Sequence, residues 1–292
     1  MKKGLILINA YADLPSITYQ SSRLKEELQA LGVEVTLQKN DGFFARFNRN
    51  GSAESPLLGY DFCVYLDKDK YVSCLLEGAG MRLFNPHKAI ELCDDKISTF
   101  LALANLNIPM PKTFAGLLCY SPDKKVGTIS IDVLEKELGY PLIVKECYGS
   151  LGKNVYKADN RAQLEQIANA LLYKPHLFQE FIKHSAGRDI RVIVVGGKVL
   201  CAMERCSTTD FRSNIELGGL GKPFNVDEKL KALCEKVATT LKLDYCGIDI
   251  LYGKTGYLLC EVNSNAFFSG IEKVTGVNVA KAYAKHIVNA LT

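Results

Sequence analysis

The sequence predicts an α/β unit at the amino terminus followed by α+β units. Strand-like and helix-like segments alternate over residues 1–90, and two long hairpin patterns occupy the second half of the chain. The length of 292 residues exceeds one small domain. With 48% hydrophobic and 23% charged residues, the composition is that of an ordinary globular protein. We therefore expect two or three compact units that share one continuous core.

Alternation of strands and helices defines the amino-terminal unit. The first strand, helix and strand form a βαβ pattern, and the order of the later segments predicts a doubly wound parallel sheet. Residues 42–59 are expected to form a long loop, of a length that is often functional. The predicted strands are 4–10, 33–39, 61–67 and 82–86, and the predicted helices are 16–32 and 71–80.

A new unit is expected to begin near Pro109, because the residue before a proline is pushed out of the helical region. The helix that starts near residue 87 must therefore stop before this point. Two hairpins follow in the second half, the first turning at two adjacent glycines. The predicted segments are a strand ending at Lys145, a helix at 161–173, a strand at 176–182, a hairpin at 189–206, a helix at 227–242, a hairpin at 245–263 and a helix at 277–291.

Charge and cysteine usage exclude several classes of function. The net charge is only +4, and the Lys and Arg residues are scattered among 32 acids, which argues against a nucleic-acid partner. The ten cysteines are dispersed without a CxxC pair, a pattern typical of a reducing compartment. The first apolar run breaks at Asn9, too early for a signal peptide, and no segment is long enough to span a membrane. We expect a cytoplasmic protein without a membrane partner.

Acidic and amide side chains interrupt the second hairpin. If its turn is the five residues 253–257, Asp249 lies directly opposite Glu261, and Asn263 points to the same face as Glu261. Two facing carboxylates repel unless one is protonated or a cation lies between them. Carboxylate and amide oxygens suit magnesium. The alternative is that these are ordinary solvated residues of a strand.

A glycine-rich turn, Gly149 to Gly152, follows the strand that ends at Lys145. Glycines allow backbone amides to approach phosphate oxygens, and lysines add point charges. The spacing is too short for a Walker A loop, so a plain β-turn is the alternative. The segment QEFI (179–182) places a charge in an apolar strand. Several arginines follow, whose planar groups suit phosphates or carboxylates but are equally common as surface charges. These are Arg188, Arg191, Arg205 and Arg212.

The order and spacing of these motifs resemble those of the ATP-grasp superfamily and, within it, of the RimK-type glutamate ligases. The resemblance covers nearly the whole chain. The segments that carry it are 94–113, PLIVKECYGSLGKNV (141–155), QEFI, GRDIRVIVVGGKV (187–199), DFRSNIELGG (210–219), GIDIL (247–251) and 261–280. The resemblance implies an ATP-grasp fold with a Rossmann-like domain at 1–95, a small subdomain with a glycine-rich lid at 96–185, and a large subdomain with a metal site at 186–292.

The resemblance also implies a role for each matching residue. The lysines that would contact the ATP phosphates are Lys96 and Lys145, and the lid over them would include Gly149, Ser150 and Gly152. The adenine would lie against the backbone of Glu180, Phe181 and Ile182, next to Gln179, with Glu180 or Asp189 near the ribose. The positions around the transferred phosphoryl group and the carboxylate substrate are Arg191, Arg205, Arg212 and Asn214. The ligands of two magnesium ions, for which manganese would be a substitute, are Asp249, Glu261 and Asn263.

The implied chemistry has two steps. ATP phosphorylates a substrate carboxylate, and an amine then attacks the acyl phosphate to give an amide, ADP and phosphate. The amino acid added would be glutamate or another, and the acceptor a peptide, a protein or a small metabolite. The resemblance also implies a homo-oligomer. The alternatives are an ATP-grasp ligase for lysine-pathway carrier proteins or D-alanine dipeptides, and an ATP-binding module without catalysis.

One short stretch departs from the family pattern. After Glu-Val-Asn, the glutamate ligases commonly continue with Ala-Ser-Pro-Gly, whereas this chain has Ser264, Asn265, Ala266 and Phe267. We expect this stretch to lie close to the substrate, so the resemblance leaves the identity of the amino acid open.

Overall fold

A computed structural model describes residues 1–121, 123–150, 152–214 and 218–292. Its strands form three sheets and one short two-stranded ribbon. Among the residues that the structure describes, no helix is both long and apolar enough to span a lipid bilayer.

The first sheet is parallel, with the strand order β2-β1-β5-β6, as the alternating pattern predicted. The loop predicted at 42–59 is not wholly irregular, because its arms pair as a ribbon in which Arg46 lies opposite Glu54. The elements of this region are β1 (Lys3–Ile8), α1 (Pro15–Ala30), β2 (Glu34–Lys39), β3 (Arg46–Phe47), β4 (Ala53–Glu54), β5 (Phe62–Leu66), α2 (Lys70–Gly78) and β6 (Leu83–Phe84).

The helix expected from residue 87 is two helices, α3 (His87–Asp94) and α4 (Lys96–Ala102). Asp95 has an extended backbone, and its side chain accepts hydrogen bonds from the amides of Ile97 and Ser98. It is therefore the N-cap of α4, and a capping aspartate interrupts a continuous helix because its own φ and ψ angles are not helical. The second helix ends before Pro109, as predicted.

The second sheet is antiparallel, with the order β7-β10-β8-β9. Helices α5 and α6 cover one face and pack on Leu142 and Val144. Because side chains alternate along a strand, the neighbouring Lys145 points to the opposite face. The elements are β7 (Thr113–Ala115), α5 (Thr128–Leu138), β8 (Leu142–Glu146), β9 (Val155–Ala158), α6 (Arg161–Leu171) and β10 (His176–Glu180).

The third sheet has five antiparallel strands in the order β13-β12-β11-β14-β15. Both predicted hairpins are present in it. Strand β13 and helix α8 were not predicted. The elements are β11 (Arg188–Val195), β12 (Lys198–Cys206), β13 (Leu220–Pro223), α7 (Glu228–Thr240), β14 (Tyr245–Tyr252), β15 (Tyr257–Asn263), α8 (Ser269–Thr275) and α9 (Val279–Ala290), and a short 3-10 turn, Lys183–Ser185, precedes them.

The two faces of the third sheet belong to different cores. On one face, Ile190 and Ile248 pack with α7 and with residues of α3. On the other face, Tyr245 packs with α9 and with Phe62 of the first sheet. The first and third sheets therefore share a core, whereas the second sheet has a cluster of its own. One continuous core was expected, and this holds for only two of the three sheets. The domain boundaries 1–95, 96–185 and 186–292 remain a prediction.

The predicted pairing of Asp249 with Glu261 is confirmed, although it arises in another way. Tyr252 pairs with Tyr257, so the turn has four residues, 253–256, instead of the five that were assumed. Cys260 forms a bulge, an extra residue on β15 without a partner on β14. This extra residue makes up for the shorter turn, so Asp249 pairs with Glu261 as predicted. Because of the bulge, Cys260 and Glu261 both line the cavity described below.

Candidate active site

A cavity of about 360 Å³ is bordered by all three sheets. Every site residue that the sequence predicted lies on its wall. These residues are Lys96, Lys145, Gly149, Ser150, Gly152, Gln179, Glu180, Phe181, Ile182, Asp189, Arg191, Arg205, Arg212, Asn214, Asp249, Glu261 and Asn263. Leu151 of the predicted lid, and residues 215–217 of the loop after β12, lie outside the described residues. The wall has more Lys and Arg than Asp and Glu side chains, which favours an anionic ligand.

Cross-strand ion pairs form the floor of the cavity. The register of the third sheet sets Arg191 opposite Asp249 and Asp189 opposite Arg205, and all four side chains point to the same face. Arg191 donates two hydrogen bonds to Asp249, one of them 2.7 Å long from Nη2. Arg205 binds Asp189 through Nε at 2.7 Å and reaches Asp249 at 3.1 Å.

These guanidinium groups change the charge balance predicted for the hairpin. Burial would raise the pKa of Asp249, but the charges of Arg191 and Arg205 outweigh it and hold the pKa below its usual value. The carboxylate of Glu261 lies 3.5 Å from Lys96 Nζ. Repulsion between the two carboxylates is therefore relieved by basic side chains, and it does not by itself require a metal ion.

The two predicted phosphate-binding lysines are buried at the cavity wall, and each is 8% exposed. Lys96 is the first residue of α4, and its ammonium group donates to the backbone oxygens of Cys147 and Gly149, at 3.5 and 3.2 Å. Lys145 lies 3.6 Å from the Cys260 sulfur. Burial raises the pKa of Cys260, although Lys145 opposes the shift, so the thiol stays neutral. Its neutral form argues against a role as nucleophile.

Arg212 connects the loop after β12 to the glycine-rich turn. Its Nη1 donates to the backbone oxygen of Gly152 at 2.6 Å, and Nη2 pairs with Asp210 at 2.6 Å. Gly149 and Gly152 have φ angles of 127° and 70°, a region that favours glycine. The backbone conformation at both of these predicted lid positions therefore favours glycine over any other residue.

At the predicted adenine end, Gln179 is buried and donates to the Thr113 hydroxyl at 2.8 Å. One oxygen of Glu180 accepts the backbone N–H of Lys112 at 2.8 Å. Glu180 is half-buried, whereas Asp189 is buried and bound by Arg205. Of the two residues predicted near the ribose, Glu180 is thus the one whose carboxylate is more accessible.

The predicted metal ligands supply only oxygen atoms on neighbouring strands. Asp249 on β14 and Glu261 and Asn263 on β15 all line the cavity, and this donor set fits a hard divalent ion. Among the described residues, no group of three or more His, Cys, Asp or Glu side chains is arranged to hold a metal. Further ligands would therefore come from the nucleotide and water, as is usual for magnesium.

Residues of the amino-terminal sheet also line the cavity, although they were not predicted as site residues. Asn9 follows β1 and Asp67 follows β5. The Asp67 carboxylate accepts hydrogen bonds from the amides of Asn9 and Asn40, at 3.0 and 2.8 Å. Burial raises the pKa of Asp67, and these hydrogen bonds oppose the shift. Polar residues directly after parallel strands were the signal that could have identified this edge.

Comparison with a protein-family model supports the resemblance whose predicted site residues line the cavity. The model described as the RimK-like ATP-grasp domain matches residues 93–287, which is more than half of the chain.

The chain belongs to the RimK-like ATP-grasp family.

Known relatives extend this finding. The chain is 37% identical over 231 residues to a beta-citrylglutamate synthase B of Danio rerio, a match that covers 78% of this chain and 56% of the relative. It is 37% identical over 207 residues to a ribosomal protein bS6–L-glutamate ligase of Escherichia fergusonii, covering 70% of this chain and 66% of the relative. The chain thus spans little more than half the length of the first relative.

The fold is that of the ATP-grasp proteins. A RimK domain protein from Sphaerobacter thermophilus DSM 20745 superimposes with a TM-score of 0.73, over 97% of this chain and 98% of that one. The two sequences are 19% identical, so this similarity concerns the fold alone. The ATP-grasp fold expected from the resemblance is therefore confirmed.

Proposed function

We propose that the chain joins a carboxylate to an amine in an ATP-dependent reaction through an acyl phosphate, releasing ADP and phosphate. The observation that carries this proposal is the single cavity in which the lysines, the arginine–aspartate pairs and the oxygen ligands meet. Both relatives described above carry glutamate in their names. L-Glutamate is therefore the first amino acid to test, with a peptide, a protein or a small metabolite as the second substrate.

The residues of the cavity meet the demands of phosphoryl transfer, which depends on positioning and on stabilising negative charge. Lys96 and Lys145 would bind the phosphates. Arg191 and Arg205 are held in place by carboxylates on neighbouring strands, so their positive charges are oriented before a substrate arrives. The glycine-rich turn and Arg212 would cover the acyl phosphate and exclude water.

The oxygen ligands Asp249, Glu261 and Asn263 would hold magnesium, and we propose two ions, with manganese as a substitute. Magnesium, when bound, neutralises phosphate charge. Arg191 and Arg205 both engage Asp249 Oδ2, whereas Oδ1 accepts from Arg191 alone, so Oδ1 would be the oxygen with a lone pair left for the ion.

The compartment and the assembly also remain proposals. All ten cysteines lie in the described part of the chain and are free thiols, which supports the reducing cytoplasm as the location. We retain the homo-oligomer implied by the family resemblance, to be measured by light scattering.

The proposal is tested by incubating the purified protein with ATP, magnesium and pairwise mixtures of amino acids and acceptor carboxylates, with L-glutamate first. ADP release and the mass of an amide product are the measurements. We expect both to appear together and to require magnesium. Bound ATP without ADP release from any mixture would rule out the ligase.

A substitution at the predicted metal site provides the first variant test. Glu261→Gln keeps the size of the side chain but removes its charge, and we expect turnover to fall by about 100-fold. The melting temperature should stay close to that of the natural chain. The matched control is Glu228→Gln, which changes an exposed glutamate on α7. An unchanged rate in the Glu261→Gln variant would contradict the metal assignment.

A further inference from the structure

The polar stretch after β15 continues the alternation of the strand beyond its last paired residue. Glu261, Asn263, Asn265 and Phe267 all line the cavity. The intervening Ser264 is only 6% exposed, and Val262 and Phe268 are buried in the cores. Asn265 therefore lies next in line after the predicted metal ligands, at the point where this chain departs from the family pattern.

Hydrogen bonds fix which way the Asn265 amide is turned. Gln20 on α1 is 1% exposed, and its Nε2 lies 3.3 Å from the Ala266 backbone oxygen and 3.3 Å from Asn265 Oδ1. A backbone oxygen can only accept, so Gln20 must present its NH₂ group here. The same NH₂ group meets Asn265, whose facing atom must then be its oxygen. The NH₂ group of Asn265 consequently points away from Gln20.

That NH₂ group is available to a ligand. Asn265 Nδ2 donates no hydrogen bond to any residue that the structure describes, and the side chain is half-buried at the cavity wall. The Ala266 oxygen is also held by the Tyr245 hydroxyl at 2.7 Å, so the orienting carbonyl is itself fixed. With its oxygen turned toward Gln20, the Asn265 amide directs its two N–H donors away from Gln20.

We propose that Asn265 determines substrate specificity by donating a hydrogen bond to a carboxylate oxygen of the amino-acid substrate, with Gln20 as the residue that positions it. The inference rests on the proposed function. A donor suits a carboxylate oxygen and disfavours an ammonium group, and the basic excess of the cavity wall favours the same ligand. The serine common at this position in the glutamate ligases has one hydroxyl that can donate or accept, whereas the oriented asparagine offers the two N–H donors of its NH₂ group.

The first test measures the KM for L-glutamate, or for the amino acid that supports turnover, at saturating ATP. Asn265→Ala removes the donor, and we expect the KM for the amino acid to rise about tenfold. Asn265→Asp should raise it further, because the new carboxylate repels the substrate, and Asn265→Ser should retain most of the affinity. The KM for ATP should stay within about twofold in all three variants.

A double-mutant cycle tests the positioning role. Gln20→Leu frees the Asn265 amide to rotate and should raise the KM for the amino acid about threefold in the natural background. In the Asn265→Ala background the same change should have no further effect, because Gln20 acts through the amide that is already absent. A purely structural role would instead raise the KM in both backgrounds and change the KM for ATP as well.

The outcomes separate this inference from the proposed function. If the natural chain turns over while Asn265→Ala and Asn265→Asp leave the KM for the amino acid unchanged, the specificity role is wrong and the ligase stands. Equal increases in the KM values for the amino acid and for ATP would also overturn the role. If the natural chain releases no ADP from any mixture, the ligase proposal fails and this inference fails with it.

Discussion

Gly247 is the residue that allows Arg191 to lie across β14. A Cβ built on Gly247 would stand 2.5 Å from the Ala266 Cβ and 3.1 Å from the Arg191 Cδ. The missing side chain therefore makes room for the aliphatic part of the arginine and for Ala266, in the stretch that is predicted to lie close to the substrate. Any larger residue must displace one of them, since atoms in a packed interior have little room to move.

At this scale we predict that Gly247→Ala reduces stability by about 1–3 kcal/mol through overpacking. Turnover should also fall, because the displaced Arg191 loses its alignment with Asp249. Urea unfolding and steady-state rates are the measurements. Gly59→Ala is the matched control, since a Cβ added at Gly59 would have no atom within 4 Å and its backbone needs no glycine. Equal effects of both substitutions would contradict the packing argument.

Among the elements, the short helix α4 brings Lys96 to the cavity. The helix begins at Lys96 because Asp95 caps it, accepting hydrogen bonds from the Ile97 amide at 2.9 Å and the Ser98 amide at 3.3 Å. The backbone N–H of Lys96 also donates to the Cys147 oxygen at 3.1 Å, next to the glycine-rich turn. The break between α3 and α4 thus places one lysine at the predicted lid.

We predict that Asp95→Ala costs about 1 kcal/mol in stability through the lost cap and raises the KM for ATP by shifting Lys96. Asp95→Ser, which can still cap, should restore most of both properties. The control is Asp227→Ala, which removes the cap of α7 away from the cavity and should lower stability without changing the KM for ATP. An unchanged KM for ATP in Asp95→Ala would show that the cap does not position Lys96.

Across the whole molecule, Asn85 connects the first sheet to the site. It is 3% exposed, and its NH₂ group donates to the backbone oxygens of Tyr245 and Ser264, at 2.8 and 2.7 Å. Its oxygen accepts the backbone N–H groups of Asp244 and Tyr245, at 2.7 and 2.9 Å. One side chain thus joins the end of β6 to the start of β14 and to the residue after Asn263.

We expect Asn85→Ala to lower the free energy of unfolding by about 3 kcal/mol or more, because it leaves several buried backbone groups without partners. Urea unfolding gives the value. Asn48→Ala is a suitable control, since Asn48 is half-buried in the turn between β3 and β4 and also makes several hydrogen bonds, but these bonds are exposed to solvent, where about 0.5 kcal/mol is typical. A loss as small as that of the control would show that the Asn85 contacts contribute little.

Much of the fold and of the candidate site follows from local patterns. Strands and helices were predicted because their apolar residues repeat with a period of two or near four, and the cavity-facing residues of β11, β14 and β15 follow from the same alternation. Where the prediction failed, the cause was local chemistry that competes with periodicity. The Asp95 cap divides one predicted helix into two. The turn of the second hairpin is one residue shorter than predicted, and the bulge at Cys260 compensates for the difference, so Asp249 still faces Glu261.

By itself, the sequence determined the strands of the first sheet, the two hairpins of the third sheet, the facing pair Asp249 and Glu261, and the family to which the segments belong. Only the tertiary structure decided that arginines neutralise Asp249, that Asn9 and Asp67 border the cavity, and that Gln20 orients Asn265. The reason is physical. Periodicity reports which face of an element is buried, whereas contacts between residues as distant in sequence as Gln20 and Asn265 depend on how complete elements pack.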